Sequence, residues 1–303
     1  MSRNISVRNL VLSNNYMGDK KLAVVTGGAG FIGSHLCERL VGEGYEVISL
    51  DNYFTGTPEN HVDGVAYRDG HTKDIAEHIT ETPDILFHLG EYARVEQSFL
   101  DTKQVFDFNM TGTLAVLEFV RERGSKLIYA GSSTKYADGG IGKDQSPYAW
   151  TKATNTNLVQ RYGDWFGIRY AITYFYNVYG PRERSDEQTG TLISIFAERM
   201  RNNLPLLVRE PGTQTRNFTH VLDIVEGLWL VGQHGEGDEY GIGHPDSYSV
   251  LEVAQLFGGS VEVTKGRAGN RMNSAVDARR TELELGWKPK QNLPDYIKQS
   301  IDA

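Results

Sequence analysis

Tyr148 and Lys152 stand four residues apart in the segment Ser146-Pro147-Tyr148-Ala149-Trp150-Thr151-Lys152. On a helix that spacing puts both side chains on one face. An ammonium beside a phenol favours the phenolate. A phenol biased in this way can take a proton from an alcohol near neutral pH. The spacing alone says little, because Tyr16 and Lys20 repeat it with no site around them. Upstream, the apolar run Lys126–Ala130 leads into Gly131-Ser132-Ser133-Thr134. A hydroxyl at the end of such a strand can hydrogen-bond a substrate oxygen and share its proton with Tyr148. Ser132, Tyr148 and Lys152 are therefore expected to form a proton-transfer centre.

That centre needs a scaffold, and Leu22 to Leu36 indicates which. Leu22-Ala23-Val24-Val25 reads as a buried strand, Thr26 to Gly30 as a glycine-rich turn, and Phe31 onward as a helix. Unpaired N–H groups and the helix dipole make such a helix start a place to rest a phosphate. Gly27, Gly30 and Gly33 let the backbone approach a pyrophosphate closely. The next apolar run, Glu46–Leu50, ends in Asp51. A carboxylate there can accept hydrogen bonds from both ribose hydroxyls of an adenosine and would repel a 2′-phosphate, which favours NAD over NADP.

Strand and helix patterns then alternate. Strands are expected at Val65–Tyr67, ending near Asp69, at Asp84–Leu89, at Lys126–Ala130 and at Arg169–Tyr176; helices at Phe106–Arg121 and Tyr148–Phe166. This alternation predicts an α/β fold: a doubly wound parallel sheet of the Rossmann type, with ligands at the carboxyl ends of its strands. From Asn177 the pattern changes. A charged loop runs to Gly190, helices follow at Thr191–Arg201, Val221–Val231, Ser249–Leu256 and Leu293–Ile301, a strand is read at Leu204–Val208 and a polar turn at Gly212–Asn217. The expected organisation is an N-terminal extension (1–20), a cofactor-binding domain (21–176, with 217–243 returning to it) and a smaller C-terminal substrate-binding lobe (177–216 and 244–303).

Composition bounds the rest. A net charge of −8 over 303 residues argues against a nucleic-acid surface. The single cysteine, Cys37, cannot form an intrachain disulfide and suits a reducing cytoplasm. No apolar run approaches membrane-spanning length. No metal site is expected.

With these residues assembled, the chain resembles the NAD-dependent nucleotide-sugar epimerase/dehydratase family of extended short-chain dehydrogenases/reductases, nearest in pattern to its 4-epimerases. The resemblance runs from Leu22 to Pro289. It is carried by TGGAGFIGSHL, Asp51-Asn52, His88-Leu89, Asn109 in NMTGT, SST at 132–134, SPYAWTK, YNVYGPR at 176–182, TRNF at 215–218 and LGWKP at 285–289. It implies a catalytic Ser132, Tyr148 and Lys152. It implies cofactor contacts from Gly27, Gly30, Phe31, Ile32, Gly33, Asp51, Asn52, Asp69, Leu89, Asn109, Tyr148 and Lys152. Substrate contacts are implied for Ser133, Thr134, Asn177, Arg216 and Arg267; guanidinium forks suit a diphosphate. It further implies NAD as cofactor, a nucleotide-diphosphate sugar as substrate, and a homodimer formed through the helices near 106–121 and 148–166.

Two departures qualify the reaction. Dehydratases of the family carry Asp-Glu where this chain has Ser133-Thr134, and a decarboxylase of UDP-glucuronate would show Glu near Thr134. Neither hydroxyl replaces those acids at neutral pH, so 4-epimerisation is expected. Position 91 is usually small in the family but is Glu91 here; it could contact the substrate, pair with Arg94 or face away, and pairing with Arg94 is the expectation.

Overall fold

The computed structural model describes residues 20–186, 190–265 and 276–302. Its centre is a seven-stranded sheet in the order β11-β6-β5-β4-β1-β2-β3. The strands are β1 (Leu22–Thr26), β2 (Glu46–Asp51), β3 (Val65–Asp69), β4 (Ile85–His88), β5 (Lys126–Ser132), β6 (Tyr170–Phe175) and β11 (Gly237–Ile242), and every pairing is parallel. The strand order reverses direction between β1 and β4, which opens a crevice at their carboxyl ends. Thr26 lies opposite His88 across that boundary.

Side chains alternate across β1. Ala23 and Val25 point into one core with Leu36, Phe87 and Leu228, whereas Val24 points into the other with Leu86, Val120 and Leu127. Helices α1 (Phe31–Gly42) and α7 (Val221–His234) cover the first face; α4 (Gly112–Arg123) and α5 (Pro147–Phe166) cover the second. Each fully buried valine of β1 contributes about 1.5–3 kcal/mol by leaving water.

Between β3 and β4 lies α2 (Ile75–His78), and α3 (Thr102–Val105) precedes α4. The single helix expected from Phe106 is interrupted: Phe106–Thr111 winds as a π-helical turn. Such a turn displaces a carbonyl from the regular ladder. The Asn109 carbonyl accepts both the Gly112 N–H and Asn155 Nδ2 on α5, the latter at 2.8 Å.

The C-terminal lobe has its own core, including Phe196, Val208, Phe218, Val253 and Ile297. It is built from α6 (Leu192–Arg201), α8 (Val250–Phe257) and α10 (Leu293–Asp302) with short two-stranded sheets. These pair β7 (Val178–Tyr179) with β10 (Thr219–His220), β8 (Leu206–Arg209) with β13 (Val261–Thr264), and β9 (Thr215–Asn217) with β12 (Ser247–Ser249). Three features differ from expectation. Val178–Tyr179 inside the charged loop and Thr215–Asn217 inside the polar turn are strands, because each finds a partner distant in sequence. Residues of the 276–287 segment also leave the lobe: Ala278 and Trp287 join the core beneath the sheet. Helix α9 (Arg279–Leu285) packs on β11, and Trp287 Nε1 donates to the Asp223 carbonyl at 2.9 Å.

Candidate active site

A cavity of about 720 Å³ opens along the carboxyl ends of β1, β2, β4 and β5. Gly27, Gly30 and Gly33 line one part of it, Asp51 and Asn52 another, and Tyr148 and Lys152 a third. The size falls within the ordinary range for a small-molecule site, about 300–1,000 Å³.

The glycine turn is shaped by contacts that exclude side chains. Gly27 has φ +75°, in the left-handed region, and a Cβ there would meet the Gly90 backbone at 3.0 Å. A Cβ on Gly33 would stand 2.0 Å from the Gly27 carbonyl oxygen, so the first turn of α1 and the loop are in direct contact. Asp51 Oδ2 accepts from Ala29 N–H and Oδ1 from Tyr53 N–H, both at 2.9 Å. Burial raises its carboxyl above the usual range, and the two N–H donors oppose that rise. A glycine cradle at a helix start, with an oriented acid at the end of the next strand, fits the diphosphate and adenosine ribose of NAD. Phe31, Ile32 and Leu89 line the same cavity.

Tyr148 is presented by the first turn of α5. Ser146 caps that helix by accepting the Ala149 N–H at 3.1 Å, and Pro147 follows at the first helical position. Tyr148 Oη donates to Ser132 Oγ at 3.2 Å. Thr134 Oγ1 donates to the same oxygen at 2.9 Å from behind, itself buried. Lys152 lies one turn further along α5, its ammonium bonded to the Ala130 carbonyl and 4.5 Å from the centre of the Tyr129 ring. Ser132 and Tyr148 are thus in direct contact, with Lys152 one turn away on the same helix.

Lys152 has a second partner, and it corrects an expectation. Glu91 is not paired with Arg94; its Oε2 forms an ion pair with Lys152, and both side chains are almost wholly buried. Glu91 Oε1 accepts from Thr113 Oγ1 at 3.0 Å, Tyr129 Oη at 3.1 Å and Asn155 Nδ2 at 3.1 Å. His88 continues the network, with Nε2 at 3.1 Å from Thr113 Oγ1 and Nδ1 at 2.8 Å from Thr26 Oγ1. Burial pushes His88 down to about 4, so its ring is neutral at ordinary pH.

Other expected residues sit elsewhere. Asn109 is fully buried, and its amide ties the Tyr92 backbone (2.7 and 3.2 Å) to Thr151 (3.0 Å), which makes it a strut beneath the cavity wall. Asp69 is exposed at the end of β3, where Gly70 and Thr72 line the cavity instead. Asn177 adopts φ +36° and donates to the Asn217 carbonyl at 2.8 Å. Arg216 lies on β9 and donates to the Thr215 carbonyl at 2.7 Å. Ser132, Ser133, Thr134, Asn177 and Arg216 are not among the described residues lining the cavity. Arg267 lies outside the described residues.

Further charged residues line it: Arg94, which the sequence offered only as a partner for Glu91, and Arg182, Glu183, Arg184 and Asp186 of the charged loop. Burial lowers the Arg94 guanidinium and raises Glu183 to about 7, with Thr191 and the Gly180 N–H opposing the second shift. For the loop residues the only signal was the run of charges after Gly180-Pro181, which also fits a solvated loop.

Comparison with known proteins agrees with this geometry. The model of the NAD dependent epimerase/dehydratase family matches residues 23–243. A putative UDP-glucose 4-epimerase of Methanocaldococcus jannaschii is 30% identical over 300 residues, covering 93% of this chain and 97% of its own. UDP-glucuronic acid decarboxylase 1 of Arabidopsis thaliana is 29% identical over 307 residues, covering 94% of this chain and 70% of its own. The solved structure of the Thermus thermophilus UDP-glucose 4-epimerase in complex with NAD is similar at a TM-score of 0.83 and 29% identity, over 93% of this chain and 98% of that one.

Proposed function

The chain belongs to the NAD dependent epimerase/dehydratase family, and we propose that its reaction is the 4-epimerisation of a nucleotide-diphosphate sugar, with a UDP-hexose the first candidate. Its cofactor is NAD and its substrates are nucleotide sugars, as in the family. The glycine turn and Asp51 would hold NAD, which would supply a reversible hydride acceptor. The chain's own residues manage the proton. Tyr148 takes it from the sugar 4-hydroxyl as the same carbon gives up its hydride, leaving a ketone. Ser132 orients the hydroxyl through the 3.2 Å bond to Tyr148. Lys152, one turn further along α5, faces the same side of the helix as Tyr148 and would hold the nicotinamide ribose. Tyr148 would give the proton back as the ketone is reduced on its opposite face, which inverts C4 with no net redox change.

The observation that carries this reading over the family's other reactions is the pair Ser133-Thr134 directly after Ser132. Thr134 is buried and spends its hydroxyl on Ser132. The family's water- and carbon-dioxide-losing enzymes are expected to carry an acid at that position, and hydroxyls titrate far outside the working range. A panel of UDP-, GDP-, CDP- and dTDP-sugars, followed by chromatography and NMR, tests the proposal. An isomeric product is expected. A product lighter by water or carbon dioxide, stoichiometric NADH, or bound NAD with no turnover of any sugar would overturn it.

Three further expectations belong to the same proposal. Residues 21–176 with 217–243 form the cofactor-binding unit, and the lobe around α6, α8 and α10 holds the rest of the substrate. A homodimer is supported by an exposed apolar surface on Phe106, Leu114, Trp150, Trp165 and Phe166, with the Phe106 and Trp150 rings stacked at 5.6 Å. A cytoplasmic location is supported by Cys37, buried as a free thiol that burial pushes up to about 12. Among the described residues no helix is long and apolar enough to cross a membrane.

A further inference from the structure

We propose that Glu91 is a positioning residue for proton transfer: it clamps the Lys152 ammonium and offsets its charge, so that Tyr148 works beside a locally neutral ion pair instead of an uncompensated cation. The inference rests on Tyr148 being the base.

Geometry fixes the ionic form of Glu91. Donors converge on it from three elements: Thr113 on α4, Tyr129 on β5, and Asn155 and Lys152 on α5. A carboxyl that only accepts is a carboxylate. The direction of the bonds behind it follows from that carboxylate: Thr113 gives its one hydroxyl hydrogen to Glu91 and so accepts from His88 Nε2, which leaves Nδ1 of the neutral ring to accept from Thr26 Oγ1. The neutral ring then donates from Nε2 to Thr113, and Thr113 donates onward to Glu91. Every hydrogen in the chain points toward the carboxylate.

The consequence concerns charge at the phenol. Lys152 and Glu91 are both almost wholly buried, where charges are weakly screened and their fields at a neighbour oppose each other. The other charged or titratable groups facing the centre are His88 from β4, Tyr129 from β5, Arg94 from the loop after β4 and Glu183 from the loop after β7. Arg94 acts on Tyr148 as well as on Glu183, Asp186 and Arg184 in the same cavity wall, and none of these groups is changed by a substitution at Glu91. A Glu91 that only filled space or stabilised the fold would not alter the ionisation of Tyr148. One that offsets Lys152 must.

The test reads tyrosinate absorbance during pH titration of the protein without NAD or sugar. Subtracting the Tyr148→Phe titration from the parent isolates Tyr148. The same pair is then measured in a Glu91→Gln background, where Gln still offers Lys152 an acceptor but no charge. Tyr148 is expected to ionise about one pH unit lower in Glu91→Gln, a tenfold gain in phenolate at a given pH below the midpoint. The acid limb of the kcat/KM profile moves with it. Coincident titrations, or movement to higher pH, overturn the proposal. If Glu91→Gln does not fold, the double variant Glu91→Gln/Lys152→Met decides, since removing both members of a buried pair leaves neither unsatisfied. Its Tyr148 titration should stay with the wild type; a rise of a unit or more would show that Lys152 acts uncompensated. Because the absorbance requires no turnover, an enzyme that proves not to be a 4-epimerase leaves this result intact.

Discussion

Gly33→Ala separates a functional cradle from an ordinary helix start. Gly33 is the third residue of α1, and by intrinsic propensity alanine would stabilise a helix there by about 1 kcal/mol. The local packing reverses that sign. An added Cβ would sit 2.0 Å from the Gly27 carbonyl oxygen, 2.8 Å from its carbon and 2.9 Å from Gly28 Cα. Ordinary contact is about 3.5 Å, so the loop must retreat by more than 1 Å. It is held where it is by Gly27 N–H on the Leu50 carbonyl (2.8 Å) and Gly30 N–H on the Gly27 carbonyl (3.1 Å). Overpacking of this kind costs about 1–3 kcal/mol of fold stability. A loop displaced this far loses at least one N–H bond to a phosphate, and such bonds to charged groups contribute about 1.5–3 kcal/mol. NAD affinity should therefore fall by about 10- to 100-fold, read by calorimetric titration, while urea denaturation shows the loss of stability. Gly42→Ala, on the same helix with nothing within 4 Å of its Cβ, is the control and should bind NAD as the wild type does. Wild-type affinity in a folded Gly33→Ala protein would refute the cradle.

The remaining predictions address the chemistry, the buried network and the assembly. Tyr148→Phe should lower turnover by at least 10²–10⁴-fold, roughly the worth of a general base, while NAD still binds; near wild-type turnover would remove Tyr148 from the role. His88 carries a folded value near 4 against 6.5 for the free ring. Its neutral form stabilises the fold above pH 6.5, and that contribution is lost as pH falls toward 4, amounting to about 3 kcal/mol. Urea denaturation at pH 7, 5 and 4 should show a shallower acid loss in His88→Gln by that amount, and parallel curves would refute it. Leu114→Glu places a charge on the exposed apolar surface of α4; sedimentation should show a dimer turning to monomer, and a wild-type protein that is already monomeric ends that reading.

The sequence revealed what local periodicity encodes. A strand, a glycine turn and a helix are contiguous from Leu22 to Leu36, and Tyr148 with Lys152 is an i, i+4 pair on a capped helix. The acid Asp51 was equally legible, because it closes an apolar run. The missed features depend on partners far along the chain. Strand β11 reads Gly-Asp-Glu-Tyr-Gly-Ile, with no apolar run, and becomes a strand by pairing with β6 at the sheet edge. Asn109 carried the motif of a ligand residue, yet its amide is consumed by Tyr92 and Thr151. The π-helical turn that carries Asn109 leaves no trace in hydrophobic spacing; it is sustained by Asn155 on another helix. Glu91 was noticed for its size and charge, but the nearest cation in sequence, Arg94, was the wrong partner. The right one is on α5, beyond the whole of β5.

That long-range pairing links the two halves of the site. Thr26 ends β1 where the glycine turn begins, and its hydroxyl receives the Gly90 N–H beside Gly27. From there the bonds run through His88 and Thr113 to Glu91, and from Glu91 to Lys152. A protonated His88 would present two donors, and Thr26 would have to turn its own hydrogen away. The chain of donors would then lose its direction at the first step. Complete burial of His88 keeps the ring neutral. The same burial keeps the bond chain from Thr26 to Lys152 intact, so a change that charges or removes His88 is expected to reach both the glycine turn and the Lys152–Glu91 pair.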